Sequence, residues 1–318
     1  MKLILHIGSH KTGTTTIQTY CHSVKNKLAT QKIHYPSLDG LETAYQHSDL
    51  ASYIQDKNAT KLQKILSQVK ADALVNKCET ILLSGERFCH LTDEEVDFLK
   101  EHLKNFDVEV IFYIRNVYDY VISALCQRMK DVQTLITPKN PLNGIQNSLD
   151  YKNIIIRWEK AFTRRNLHVF SYDQEKAHLV EHFIQTIGAT MPKPHTPKSN
   201  QNISPDINSL SVMAILDCLY TRSDYRRLYK IYQKTFAGSA KHTSAFSFAI
   251  SEVIVHSARN NYTHPKLLPF KDILLKRPEP QFTDADKAQY LKNMEKFIRR
   301  VRGGKMTFWD RLKFLFNL

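Results

Sequence analysis

An α/β fold, a parallel sheet flanked by helices and followed by a mostly helical C-terminal half, is predicted by three features of the sequence. Short apolar runs at residues 3–7, 81–83, 108–114 and 167–170 alternate with amphipathic stretches near 60–75, 91–104, 117–131 and 149–163, the pattern of a parallel sheet with crossover helices. The first run ends at Gly8 in a polar loop, after which helical spacing begins at Thr14 and continues through Ile17, Tyr20 and Val24. Beyond Tyr172 helical periodicity dominates, near 176–187, 206–220, 224–236, 243–260 and 284–302, with no convincing strand.

Each element has a local reason. The strand candidates are short, mainly apolar runs, as expected for strands of a sheet with helices on both faces. The loop candidates are 138–148 and 188–205, both rich in Pro, Ser, Thr or Asn. At 318 residues and 42% hydrophobic content the chain can bury a sizeable core. No internal repeat or low-complexity tract interrupts it.

Composition narrows the function classes. Lys and Arg number 45 against 31 Asp and Glu, and the net charge of +14 favours an anionic partner such as a nucleotide, an acidic glycan, nucleic acid or anionic lipid. The five cysteines are odd in number and widely spaced, which argues against a disulfide framework or a structural zinc site and fits a reducing compartment. The run at 3–7 is short and broken by His6, so no signal peptide is expected, and no stretch approaches the ~18 apolar residues of a membrane span.

The segment Gly8-Ser9-His10-Lys11-Thr12-Gly13-Thr14-Thr15 lies between a predicted strand and a predicted helix, where backbone N–H groups and a helix N-terminus cradle phosphate oxygens. Its glycines have Walker A spacing, which makes the fold P-loop-like. Thr14 stands where a Walker A loop has Lys, however, and the lysine is Lys11. An ordinary P-loop ATPase or GTPase is disfavoured, and the plain alternative is a strand-to-helix turn with a solvated lysine.

From His6-Ile7-Gly8 through Lys11-Thr12-Gly13-Thr14-Thr15 to Gln18 the chain resembles sulfotransferases dependent on 3′-phosphoadenosine 5′-phosphosulfate (PAPS), in particular the bacterial and Golgi carbohydrate branch. The resemblance implies that Gly8, His10, Lys11, Thr12, Gly13, Thr14 and Thr15 hold the donor's 5′-phosphosulfate. Lys11 would neutralise charge on the leaving phosphate. It also implies that Arg115, after the run 108–114, and Ser123, eight residues on, bind the 3′-phosphate; Val117 departs from the family's usual Pro. Tyr172 falls where relatives carry an aromatic residue near the adenine, with plain packing as its alternative.

Attack by a hydroxyl needs a base. Glu86 follows the run 81–83 at the C-terminal edge of the sheet, where ligands bind in open α/β folds, and in the carbohydrate sulfotransferases that the chain resembles a glutamate there often serves as the base. Helix capping, or pairing with Arg87, is its bland reading. His47, read as lying on a helix, is the runner-up base. His10 either donates to the sulfuryl group or is solvated.

The segment 198–204 is read either as a lid or, more simply, as a helix cap at Asn202 or Ser204. The basic, aromatic stretch from Lys296 to Phe316 suits peripheral contact with an anionic membrane, or docking on the core.

The expected protein is thus a single domain over 1–318, with an α/β donor-binding core at 1–175 and a helical part at 176–318 shaping the acceptor cleft. The expected activity is transfer of a sulfuryl group from PAPS to a hydroxyl or amine, with a saccharide of a cell-envelope glycan as acceptor. No metal and no nucleic acid are expected to take part, and the expected location is cytoplasmic, up to the inner face of the membrane. The alternatives are a P-loop small-molecule kinase using ATP and magnesium, and a non-enzymatic basic protein binding nucleic acid or glycan.

Overall fold

The computed structural model describes residues 1–38, 45–130, 143–191 and 262–276, with six isolated positions between 231 and 296. Strands β1 (Lys2–His6), β2 (Ile33–His34), β3 (Thr80–Ser84), β4 (Asp107–Ile114) and β5 (Leu167–Ser171) form one five-stranded sheet in the order β2-β3-β1-β4-β5. Every pair is parallel, with Leu3 opposite Ile81 on one side and Val108 on the other. The helices are α1 (Thr14–Ser23), α2 (Lys25–Ala29), α3 (Leu50–Gln55), α4 (Ala59–Val75), α5 (Asp93–His102), α6 (Val117–Lys130), α7 (Asn143–Leu149), α8 (Tyr151–Phe162), α9 (Tyr172–Glu175), α10 (Leu179–Thr186) and α11 (Lys271–Leu274).

Side-chain alternation along the strands builds a layer on each face. On one, Ile4, Leu82, Ile111 and Tyr113 pack with Ile17, Tyr20 and Cys21 of α1, Leu28 of α2, and Val180, Phe183 and Ile184 of α10. On the other, Phe112 meets the Tyr151 ring of α8 edge-on at 5.9 Å, and α8 buries Ile154, Ile155 and Trp158 while also packing on α5. With both faces covered, β1 and β4 must be apolar nearly throughout.

Caps set the helix starts. Asn58 accepts from the Lys61 N–H at α4, and Thr92 and Glu95 form a reciprocal capping box at α5, each contributing on the order of 1 kcal/mol.

Two expectations change. The loop read over 138–148 contains helix α7 from Asn143, a short apolar pattern hidden among polar residues. Strand β2 escaped notice because Ile33–His34 is too short to show alternation. The helices expected near 206–220, 224–236, 243–260 and 284–302, the segment 198–204 and the basic stretch after Lys296 lie outside the described residues, apart from isolated positions.

By packing, the chain divides into two compact units. One comprises Met1–Asn116, Gln146–Ser199 and Ala258–Leu275 and holds the whole sheet; the other comprises Val117–Ile145, Asn200–Ser257 and Lys276–Leu318. Strand order reverses between β1 and β4, so the loops after these strands flank the switch point at which open α/β sheets bind ligands.

Candidate active site

The loop after β1 is bent by three residues in left-handed backbone, Gly8 (φ 33°), Lys11 (φ 66°) and Gly13 (φ 73°). Two are glycines, for which this region carries no steric penalty. Gly13 is also required by packing, because a Cβ there would stand 2.4 Å from Leu179 Cδ2 and 3.2 Å from Tyr172 Cε2. It forms the N-terminal boundary of α1 without a side-chain cap, and its carbonyl accepts from the N–H groups of Thr16 and Ile17. The helix therefore presents its positive end to the loop. Inside the turn the Thr12 hydroxyl donates to the Ser9 carbonyl at 2.6 Å; Thr12 and Thr14 are buried, while Thr15 is exposed.

Arg115, immediately after β4, reaches this loop. Its Nη1 donates to the Lys11 carbonyl at 2.7 Å, and its guanidinium carbon lies 5.2 Å from the centre of the Tyr172 ring. Its Nε is buried with no hydrogen-bond partner among the described residues. The backbone of Arg115 is pinned by Tyr151, whose hydroxyl accepts from its N–H and donates to its carbonyl. The next residue, Asn116, donates its N–H to Asp173 and its side-chain amide to the Ile273 carbonyl. Tyr172 thus sits against both Gly13 and Arg115. Ser123 is half-buried on α6, in the second compact unit.

Glu86 opens a 3-10 turn, Glu86–His90, just past β3. Its Oε2 accepts from His10 Nδ1 at 2.6 Å and its Oε1 accepts from the Thr14 hydroxyl. The backbone N–H donates to Ser48 Oγ at 3.0 Å. The close approach depends on Gly85, where a Cβ would lie 3.0 Å from the Ser48 backbone. The sequence expectations of His10, Thr14 and Glu86 therefore meet in one cluster.

His47 is neither on a helix nor available as a base. It precedes α3, is fully buried, accepts the Ser84 N–H at Nδ1 (2.8 Å) and donates from Nε2 to the Pro36 carbonyl (3.0 Å). A ring used on both edges has no lone pair for an acceptor, and burial holds its pKa down to about 4. It fastens the segment before α3 to the end of β3.

Beneath the loop lies a further polar layer. Gln18 donates to both the carbonyl and the hydroxyl of Ser84 at 3.2 Å, and His6 Nδ1 is 2.8 Å from the same hydroxyl. Burial lowers the His6 pKa to about 3, so the ring is neutral. Sequence reading missed Tyr151, Asp173 and His90 as site neighbours. Nothing local marks them, since each acts across a long sequence separation.

Among the described residues no group of His, Cys, Asp and Glu has the arrangement of a metal site, and no helix is long and apolar enough to cross a membrane.

No protein-family model matches the chain, and no curated protein matches its sequence. In structure it is similar to a sulfotransferase from Alicyclobacillus acidocaldarius (TM-score 0.43, 13% identity, covering 68% of this chain and 92% of the other). It is also similar to the sulfotransferase domain from the curacin biosynthetic pathway (TM-score 0.37, 13% identity, 62% and 75% covered). A third similar structure is a mouse sulfotransferase complexed with PAP (TM-score 0.33, 12% identity, 91% and 88% covered).

Proposed function

We propose that this protein transfers a sulfuryl group from PAPS to a hydroxyl or amine, with a saccharide of a cell-envelope glycan as the acceptor. The observation that carries the reading is the loop itself. A lysine-bearing turn leads into the N-terminus of α1, with the Arg115 guanidinium bonded to the Lys11 carbonyl and the Glu86 carboxylate to His10 and Thr14. The donor set suits a nucleotide bearing two phosphate groups: N–H groups of the loop and the α1 N-terminus for one, Arg115 with its unpartnered buried Nε for the other. Tyr172, already against the guanidinium, is assigned to the adenine.

In this reading Lys11 and the amides of the loop stabilise the negative charge that develops on the departing phosphate oxygen. By analogy with phosphoryl transfer the transition state is loose, so positioning and electrostatics carry most of the rate. The base is built on Glu86, at the carboxyl end of β3. A magnesium-dependent kinase is the poorer reading, because Thr14 hydrogen-bonds Glu86 and the lysine precedes the second glycine.

The test is incubation of the purified chain with PAPS carrying labelled sulfate and a panel of cell-envelope glycans. Label moving to one glycan without added magnesium is the expected result. Absence of transfer to any member, together with phosphate transfer from ATP, would contradict the proposal.

A further inference from the structure

The His10 ring is oriented by contacts outside its own loop. Its Nδ1 lies 2.6 Å from Glu86 Oε2. A carboxylate only accepts, so the hydrogen in that contact is on Nδ1, and the neutral ring then carries its lone pair on Nε2. Nε2 has no hydrogen-bond partner among the described residues, and the side chain is 39% exposed. The Glu86 carboxylate is itself fixed, with Oε1 accepting from Thr14 and the backbone N–H anchored on Ser48.

The His90 ring stacks on His10 at 5.0 Å between centroids, 25° from parallel, and burial lowers its pKa to about 4, so it stays neutral near pH 7. The charges of Arg87 and Arg157 lower the His90 pKa further. Arg87 is engaged with Ser52 and Gln55, and Arg157 with Asp93. Lys11 follows in the chain.

We infer that His10, oriented by Glu86, is the catalytic residue that takes the acceptor's proton at Nε2. The inference rests on the sulfuryl-transfer reading and deepens it. The acceptor oxygen forms its bond to sulfur as the bond from sulfur to the 5′-phosphate oxygen breaks, and the electron pair leaves with that oxygen. The acceptor's proton passes to Nε2. The resulting imidazolium is stabilised by the carboxylate on Nδ1 and then returns its proton to water, the division of labour in a carboxylate–histidine pair. Glu86 acting alone is the poorer candidate, since both of its oxygens already hold a donor.

Two measurements test this. Nitrogen-15 NMR of the ligand-free chain should find neutral His10 as the Nδ1–H tautomer, against the ordinary Nε2–H preference, and Glu86→Ala should abolish that preference. With labelled PAPS, His10→Ala should lose ~10²-fold or more in turnover and recover part of its rate on addition of imidazole. An Nε2–H tautomer, or full turnover in His10→Ala, overturns the inference. So does a loss that imidazole does not relieve, in which Glu86→Gln is equally impaired, because the proton then goes to Glu86. Failure of the wild-type chain to bind adenosine 3′,5′-bisphosphate instead overturns the sulfuryl-transfer reading itself, and this inference with it.

Discussion

Lys11 occupies left-handed backbone at φ 66°, which costs a side-chain-bearing residue roughly 1–2 kcal/mol relative to glycine. Lys11→Gly should therefore keep or raise the melting temperature while abolishing sulfuryl transfer, and Lys11→Ala should lose turnover with a much smaller loss of nucleotide affinity. Equal losses of turnover and affinity would give Lys11 a purely binding role. Arg115 has two duties, one on the Lys11 carbonyl and one assigned to the 3′-phosphate. Arg115→Ala should weaken adenosine 3′,5′-bisphosphate by tens of fold or more, and a nucleotide lacking the 3′-phosphate far less. Uniform weakening measured by calorimetry would leave only the support of the loop.

At the scale of elements, the loop and α1 are locked against α9 and α10 at Gly13. Gly13→Ala introduces a Cβ 2.4 Å from Leu179 in backbone that disfavours it. The expected result is a melting temperature lower by several degrees and weaker nucleotide binding, both checked on one sample by thermal shift with and without adenosine 3′,5′-bisphosphate.

The loop was legible in the sequence because everything that defines it is local: an apolar strand, two glycines, a lysine and a helical pattern within some twenty residues. The four longer strands were legible because each is a mainly apolar run long enough to stand out between helical patterns. β2 was not, since two residues carry no period. Nor was the true role of His47, whose partners Ser84 and Pro36 are brought to it only by folding. The contact between His10 and Glu86 spans 76 residues, a separation at which no spacing rule operates.

Across the whole molecule, neutral histidines wholly or partly withdrawn from solvent couple stability to pH. Folding holds His47 and His90 near pKa about 4 and His6 at about 3, all below the ordinary 6.5. Between these values and 6.5 the unfolded chain binds more protons, so their contribution to stability is complete above about pH 6.5 and is lost as pH falls toward 4 and below. The melting temperature should drop steeply over that window, and His47→Gln, less stable at pH 7, should show a shallower slope. An unchanged slope in that variant would mean His47 is not buried neutral.

The central claim, that the loop, Arg115 and α1 form a site for a sulfuryl-donor nucleotide, is tested most directly by titrating the ligand-free chain with adenosine 3′,5′-bisphosphate and, separately, with ATP and magnesium, both followed by calorimetry. The account predicts tight one-to-one binding of the bisphosphate and none, or binding at least a hundredfold weaker, of ATP. Preference for ATP with magnesium, or heat from neither nucleotide, contradicts it.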